Sequence, residues 1–342
     1  MALPDGEAPR SALSVLVIAD PVSDLNPAHD TSVALIEAAQ HRGHDVWTTA
    51  AAELVADGGH GYARCRRTVV QPCHLEQGRW EAPPNWYELG EDERRVLSDF
   101  DVILMRTDPP VDNVYLRATY VLDLVDPRRT LLVNDPAGLR NVNEKLFALR
   151  VPDLGPDTLV TASIPEIVER VAHWGRAVLK PTDAMGGRGI LVLQDGDPNI
   201  ISILEMATGR GRDLVVVQRW IDGVVDGDRR IIMLDGRPLG SVRRVAPGVD
   251  FRCNMATGAL PLADSVTPAD EEICAKLAPH LARQGIVFAG IDVIGGLLTE
   301  VNVTSPTGVR EIDALSGSHV AEDIVDWIES ACEKLTRAEV GR

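Results

Sequence analysis

Three oxygen-bearing side chains, Asp292, Glu300 and Asn302, lie close together in the C-terminal part of the chain. Two carboxylates and an amide oxygen are a hard donor set that suits Mg2+, with phosphate and water completing the shell. Upstream, Lys145 and Lys180 are two of only four lysines, against 30 arginines. Arginine meets the general need for positive charge here, so a retained lysine marks a local demand for a compact ammonium. Lys180 sits in Val178-Leu179-Lys180-Pro181, directly before Asp183-Ala184-Met185-Gly186-Gly187-Arg188-Gly189-Ile190. That order reads as strand, lysine, glycine loop, strand. Backbone N–H groups of such a loop wrap phosphate oxygens while the ammonium balances their charge. The spacing is not that of a Walker A loop, and no Rossmann dinucleotide fingerprint is present.

The oxygen trio makes a geometric demand. Glu300 and Asn302 are two apart and share one face of a strand. A three-residue loop, Gly295-Gly296-Leu297, sets Asp292 opposite Glu300 on that face, whereas a two-residue Gly295-Gly296 turn sets it on the other. Metal binding therefore predicts the longer loop, with Ile291, Val293, Val301 and Val303 turned to the core. The alternative is a polar face turned to water.

The elements that must position these residues follow from pattern. Ser14 to Ala19 is an apolar strand, Thr31 to Arg42 a helix with Thr31 or Ser32 as cap, and Asp45 to Thr48 a second strand. This βαβ opening predicts a Rossmann-like lobe, extended by Val102 to Met105, a helix around Val114 to Leu124 and a strand at Leu131 to Val133. Cys73 to Asp92 reads as an excursion or loop. A helix after Pro136 is expected to carry Asn143-Glu144-Lys145, and Val151 to Pro156 to be a linker. Beyond it come a helix at Pro165 to Trp174, strands at Arg176 to Lys180 and Leu214 to Gln218, and a hairpin about Asp235-Gly236. A helix from Pro268 to Gln284, two closing strands and a terminal helix from Val320 to Lys334 complete the chain.

Composition bounds the function. At 342 residues and 45% hydrophobic, the chain can fill two or three packed subdomains. A formal charge of −17 argues against a nucleic-acid or membrane partner, so an anionic ligand needs a local positive site. The acidic, Pro-containing start, Met1 to Arg10, is unlike a signal peptide. Five scattered cysteines without a C-x-x-C pair predict a reduced, cytoplasmic setting.

Further blocks make the chain recognisable. Asn143-Glu144-Lys145-Leu146-Phe147, Leu179-Lys180-Pro181 with Met185-Gly186-Gly187, Asp228-Arg229-Arg230, Gly290-Ile291-Asp292-Val293-Ile294-Gly295 and Thr299-Glu300-Val301-Asn302-Val303-Thr304-Ser305-Pro306-Thr307 resemble the bacterial glutathione synthetases of the ATP-grasp superfamily. Asp20-Pro21, Asp30-Thr31-Ser32 and Val102-Ile103-Leu104-Met105-Arg106 before Asp108-Pro109-Pro110 agree. The resemblance implies an α/β and α+β architecture, an ATP-grasp fold with an N-terminal Rossmann-like (pre-ATP-grasp) lobe. The lobe would span 12–137 and the ATP-grasp region 138–332, divided at about 156–222 and 223–332.

The resemblance also implies residue roles. Lys145, Lys180, Gly186, Gly187 and Gly189 would contact ATP and its phosphates, Gln218 and Trp220 the adenine, and Asp228 the ribose. Asp292, Glu300 and Asn302 would hold two Mg2+ ions, or Mn2+. Arg230 would face the reacting groups, Arg252 and Asn254 would reach from a lid, and Arg106, Ser305 and Thr307 would grip the acyl donor. The implied reaction is ATP-dependent peptide-bond formation through an acyl phosphate, joining the small molecules γ-glutamylcysteine and glycine in a homo-oligomer. A ligase for another carboxylate and amine, or a non-catalytic ATP-binding regulator, are the alternatives. Four differences from the family pattern, Val249, Phe251, Cys253 and Ala259 in the less glycine-rich lid, Arg244 to Ala259, are expected to bear on substrate choice, as is Thr107 where lysine is common.

Overall fold

Four apolar runs pair in parallel in the spatial order Asp45–Thr49, Ser14–Ile18, Val102–Met105 and Leu131–Val133. The two central ones are buried along nearly their whole length, which is why they read as continuous Val, Ile, Leu and Met rather than as alternation. Helix Thr31–His41 connects the first pair. Its cap is Asp30, whose Oδ1 accepts from Ser32 N at 2.6 Å and Val33 N at 3.2 Å. Neither Thr31 nor Ser32 takes that place, because a carboxylate one residue earlier satisfies two orphan donors at once. Helix Asn113–Leu122 is capped in the same way by Asp112. The computed structural model describes residues 12–248 and 250–340, so Met1 to Arg10 and Val249 lie outside the described residues.

The same sheet is widened by antiparallel strands. His60–Val70 pairs with Asp45–Thr49, Leu54–Asp57 and Tyr87–Val96. The segment expected to be an excursion or loop is thus partly strand, and it also holds the ribbon His74–Glu76 with Arg79–Glu81. Most of Tyr87–Val96 is exposed, so it does not show the apolar alternation by which strands are recognised.

Residues 158–219 form a second, antiparallel sheet in the order Thr158–Thr161, Val215–Arg219, Arg176–Pro181, Leu191–Gln194. Helices Ile164–Trp174 and Ile200–Ala207 cover one face, where Ile167, Val171 and Leu204 meet Ala177, Leu179, Val215 and Val217. Strand alternation then turns Val178, Lys180 and Gln218 to the opposite face.

A third sheet follows in the order Leu260–Ala263, Arg237–Val245, Asp228–Leu234, Phe288–Ile294, Leu297–Asn302. Helix Pro268–Ala282, closed at its start by a Thr267/Asp270 capping box, buries Ile273, Cys274, Leu277 and Leu281 against Ile231, Met233 and Ile291. Asp228, Arg230 and Asp292 therefore stand on the other face. Among the described residues no helix is long and apolar enough to cross a membrane.

Asn134 joins this sheet to the parallel one. Its Nδ2 donates to Phe288 O at 2.7 Å and Val303 O at 3.0 Å, and its Oδ1 accepts from Val287 N at 2.9 Å and Phe288 N at 2.8 Å. All four hydrogen-bonding positions of one buried amide are thus satisfied across the junction. Asn134→Ala leaves buried backbone groups without partners and is expected to destabilise the protein by about 2–4 kcal/mol in urea unfolding. A midpoint unchanged from wild type would show that the junction does not depend on it.

Candidate active site

The turn between the last two strands is the short one. Ile294 pairs with Leu297 across Gly295-Gly296, whose φ values of 55° and 79° give the left-handed pair that a two-residue hairpin needs. The expected three-residue loop is absent, yet Asp292 still pairs with Glu300 and Gly290 with Asn302. A one-residue bulge at Thr299 reconciles the two: Val293 faces Leu298, Asp292 faces Glu300, and Thr299 is the extra residue. Leu298 enters the core with Val293, Val301 and Val303, while Glu300 is returned to the open face beside Asp292. Thr299 Oγ1 donates to Asp292 O at 3.1 Å and pins the bulge.

The preceding hairpin uses the same device. Leu234 pairs with Arg237 around Asp235-Gly236, and a register shift after Met233–Pro238 brings Arg244, not Arg243, opposite Asp228. Proline lacks the ladder N–H and belongs at such irregularities, so Pro238 was the sequence signal for this shift. Arg244, expected to open the lid, instead lies within strand Arg237–Val245 and is central to the site. Its Nη2 lies 2.6 Å from Asp228 Oδ2 and 3.0 Å from Asp292 Oδ2. Arg230 holds the other side of Asp292, with Nε to Oδ1 at 2.5 Å and Nη2 to Oδ2 at 3.1 Å. All four side chains are buried. Burial alone would raise the Asp292 carboxyl, but Arg230 and Arg244 hold it well below the ordinary carboxylate range. Burial wins at Asp228, pushed up to about 6 with Arg244 as its direct partner.

Two adjoining cavities open from this network. The first, about 640 Å³, is lined by Val178, Lys180, Gln218, Trp220, Asp228, Phe251, Arg252, Asp292 and Ile294 among others. Arg176 lies 3.6 Å from the centroid of the Trp220 ring, and Phe251 packs beside that ring at 5.7 Å. Burial lowers the Lys180 ammonium, opposed by Glu300, Asp228 and Asp292. The second, about 940 Å³, is lined by Lys145, Gly186, Gly187, Arg188, Arg230, Asn302, Ser305 and Thr307 among others. Glu300 and Asn254 line both.

The lid meets the glycine loop across the opening. Arg252 Nη1 donates to Gly187 O at 3.2 Å, while Asp250 pairs with the same guanidinium at 2.8 Å. A Cβ on Gly187 would stand 2.7 Å from Asn254 Oδ1, and its φ of 75° already disfavours any other residue. Gly189 lines neither cavity; its bare Cα admits the Pro181 ring, which a Cβ would approach to 2.7 Å.

Lys145 is reached without the expected helix. Helix Pro136–Asn141 stops short, and Asn143 Oδ1 accepts from Lys145 N and Leu146 N, both at 3.1 Å, building a turn instead. Lys145 Nζ lies 3.4 Å from Glu300 Oε1 and donates to Ala184 O. Glu144, without a role from sequence, fastens this turn to the strand end. Its carboxylate accepts from Val303 N at 2.9 Å, Thr304 N at 3.2 Å and Thr304 Oγ1 at 2.9 Å, and its carbonyl accepts from Val301 N at 3.0 Å.

Two expectations need correction. Arg106 stands behind the second cavity's wall: it is buried, donates to Ser32 Oγ at 3.2 Å and Pro306 O at 3.0 Å, and lies over Phe288. Phe251 and Cys253 line the first cavity, while Ser305 and Thr307 line the second, so the altered lid residues face away from the expected substrate end. Thr107 lines neither; its Oγ1 donates to Ile18 O at 3.5 Å.

Comparisons with known proteins agree with this layout. The model of the prokaryotic glutathione synthetase N-terminal domain matches residues 13–140, and that of the family's ATP-grasp domain residues 144–317. A glutathione synthetase of Thermosynechococcus vestitus is 49% identical over 318 residues, covering 93% of this chain and 100% of that one. One from Brucella melitensis is 40% identical over 319 residues, with 93% and 99% covered. Among solved structures, a D-cycloserine synthetase superposes with a TM-score of 0.61 at 14% identity, covering 94% of this chain and 99% of its own. D-alanyl-alanine synthetase A of Vibrio cholerae gives 0.56 at 13%, with 94% and 98% covered. At these identities the likeness is one of fold.

The buried charges predict two measurable effects. Arg244→Met removes the guanidinium shared by two carboxylates and is expected to cost about 3–5 kcal/mol, much of it recovered when Asp228→Asn is added. Additive losses would contradict the pairing. Asp228 in the folded chain keeps its proton up to about pH 6, against an ordinary 3.8. The folded state thus binds more protons between these values, and this group makes stability fall as pH rises from about 4 to 6. Asp228→Asn should remove that component from urea midpoints measured across the window; an unchanged slope would refute the raised value.

Proposed function

The chain belongs to the prokaryotic glutathione synthetase family, with an ATP-grasp fold and an ATP-dependent ligase activity that makes glutathione, and we propose how its residues divide that work. The observation that carries the proposal is the meeting of Asp292, Glu300 and Asn302 with Lys145 where the two cavities adjoin.

The first cavity takes ATP. Its apolar members Val178, Val224, Ile294 and Phe251 suit a purine, with Gln218 and Trp220 at the strand end and Asp228 toward the ribose. Lys180, and from the adjoining second cavity Lys145 with the N–H groups of Gly186 and Gly187, receive the phosphates, while Gly189 shapes the loop against Pro181. The donor set fits Mg2+, two ions or Mn2+ included: Asp292 Oδ2 is taken by Arg230 Nη2 and Arg244 Nη2, but Oδ1 accepts from Arg230 Nε and keeps a lone pair for a cation. Bound there, the ion would offset charge on phosphate oxygens.

The second cavity takes the substrates. A carboxylate and an amine do not condense favourably in water, so the carboxylate is first activated. A cysteinyl carboxylate oxygen of γ-glutamylcysteine attacks the γ-phosphorus, the bond to the bridging oxygen breaks, and ADP leaves. Arg230, with Nη1 also donating to Thr307 O at 3.1 Å, stands to stabilise the transferring group. The glycine amine then attacks the acyl carbon, loses a proton, and phosphate departs with the former carboxylate oxygen. Arg252 and Asn254 close the lid and exclude water that would hydrolyse the acyl phosphate. Ser305 and Thr307 orient the donor, with Arg106 buttressing their loop from behind.

Cytoplasmic location belongs to the same proposal, in keeping with five buried free thiols. So does homo-oligomeric assembly, which a monomer mass in light scattering would overturn. The direct test supplies Mg-ATP, γ-glutamylcysteine and glycine and follows ADP and product mass. Glycine-dependent tripeptide formation is expected, falling on the order of 100-fold or more in Glu300→Gln. ATP consumption without tripeptide would overturn the reading.

A further inference from the structure

The second cavity changes its electrical character along one loop. At one end Thr307 O accepts from Arg230 Nη1 at 3.1 Å, and Lys145 and Arg244 also line the wall. Moving back along the chain, Pro306 O accepts from Arg106 Nη2 at 3.0 Å, and the residue before it, Ser305, lines the wall together with Asp108. Asp108 and Pro109 line this end, on the N-terminal lobe. The Asp108 backbone N–H donates to Asp20 Oδ2 at 3.1 Å, so a second carboxylate stands close behind. Asp108 is exposed to solvent at this end; its partly desolvated surroundings, and then Asp20 and Asp30, push its carboxyl up against Ser305 and Arg106. Arg106, the cation nearby, spends Nε on Ser32 Oγ and Nη2 on Pro306 O, and among the described residues no hydrogen bond joins its Nη1 to Asp108. A carboxylate in that situation is stabilised by a ligand cation.

The donor of the reaction is polarised in the matching sense. Its reacting carboxylate must lie at the Arg230 end, and its free α-ammonium is at the far terminus of the γ-glutamyl group. We propose that Asp108 binds that α-ammonium and thereby selects a donor carrying a free amino group. Asp108 is thus a specificity-determining residue at the end of the cavity opposite the chemistry. This rests on the reading of the second cavity as the γ-glutamylcysteine site.

The test compares γ-glutamylcysteine with N-glutarylcysteine, which lacks only the amino group, in the full-length wild type and in Asp108→Asn. Wild type is expected to show a KM about 10- to 100-fold higher for the glutaryl analogue, the range of a charge-assisted hydrogen bond. Asp108→Asn should raise KM for γ-glutamylcysteine by a similar factor and leave the analogue's unchanged, with KM for ATP and glycine within about twofold of wild type. Asp108→Glu should recover part of the loss. Equal losses for both donors in Asp108→Asn, or a wild type indifferent to the amino group, would overturn the proposal. The second outcome needs no variant, so misfolding of Asp108→Asn cannot shield it. Glutathione formation by wild type, scored in the same assay, separates failure of this inference from failure of the functional reading.

Discussion

Four charges buried in one row, Arg230, Asp292, Arg244 and Asp228, constrain the rest of the structure. Each would be expensive to remove from water alone, and each is tolerated because its neighbour lies within hydrogen-bond reach. That condition fixes the register of the three strands Asp228–Leu234, Arg237–Val245 and Phe288–Ile294, since a slip by one residue would turn every charge into the helix-covered core. Register in turn dictates the two bulges. Tight two-residue turns set each hairpin one residue out of step with the charges, and an extra residue in each restores the match. The shared face of Asp292, Glu300 and Asn302 is therefore a by-product of the same adjustment that keeps the charges paired.

Function grows from this row because its carboxylates remain available on one side. Asp292 faces the first cavity, Glu300 both, and Asn302 the second, so the hard oxygen donors lie along the boundary between the two cavities. The compact ammonium groups arrive from other elements: Lys180 from the open face of the four-stranded sheet, Lys145 from a turn that Glu144 fastens to the strand end. Positioning by three separate elements lets transferred charge be met from several directions, with the lid supplying the remaining wall. This suits phosphoryl and acyl transfer, where orientation and fixed charge do most of what is needed.

Much of this was legible in the residues, and the failures share a cause. The parallel strands, the hairpin about Asp235-Gly236 and the long C-terminal helices announce themselves by period and turn chemistry. Bulges do not, because one extra residue leaves no periodic trace; hence the wrong loop length at Gly295-Gly296 and the assignment of Arg244 to the lid. Polar strands such as Tyr87–Val96 escaped for want of apolar alternation. Capping was misassigned by one residue because Asp30, Thr31 and Ser32 are all good caps and only geometry chooses among them. Asn143-Glu144-Lys145 looked helical, but Asn143 folds the chain into a turn. Lid residues near Asn254 could not be assigned to one side of the site from spacing, since the lid touches both cavities.

The central claim is that this row of charges serves activation of a carboxylate as an acyl phosphate. Glutathione synthesis from γ-glutamylcysteine carrying oxygen-18 in its cysteinyl carboxylate, followed by mass analysis of the released phosphate, tests it most directly. The account predicts one labelled oxygen in each phosphate formed, left there when glycine displaces the phosphoryl group. Unlabelled phosphate accompanying labelled tripeptide would contradict it.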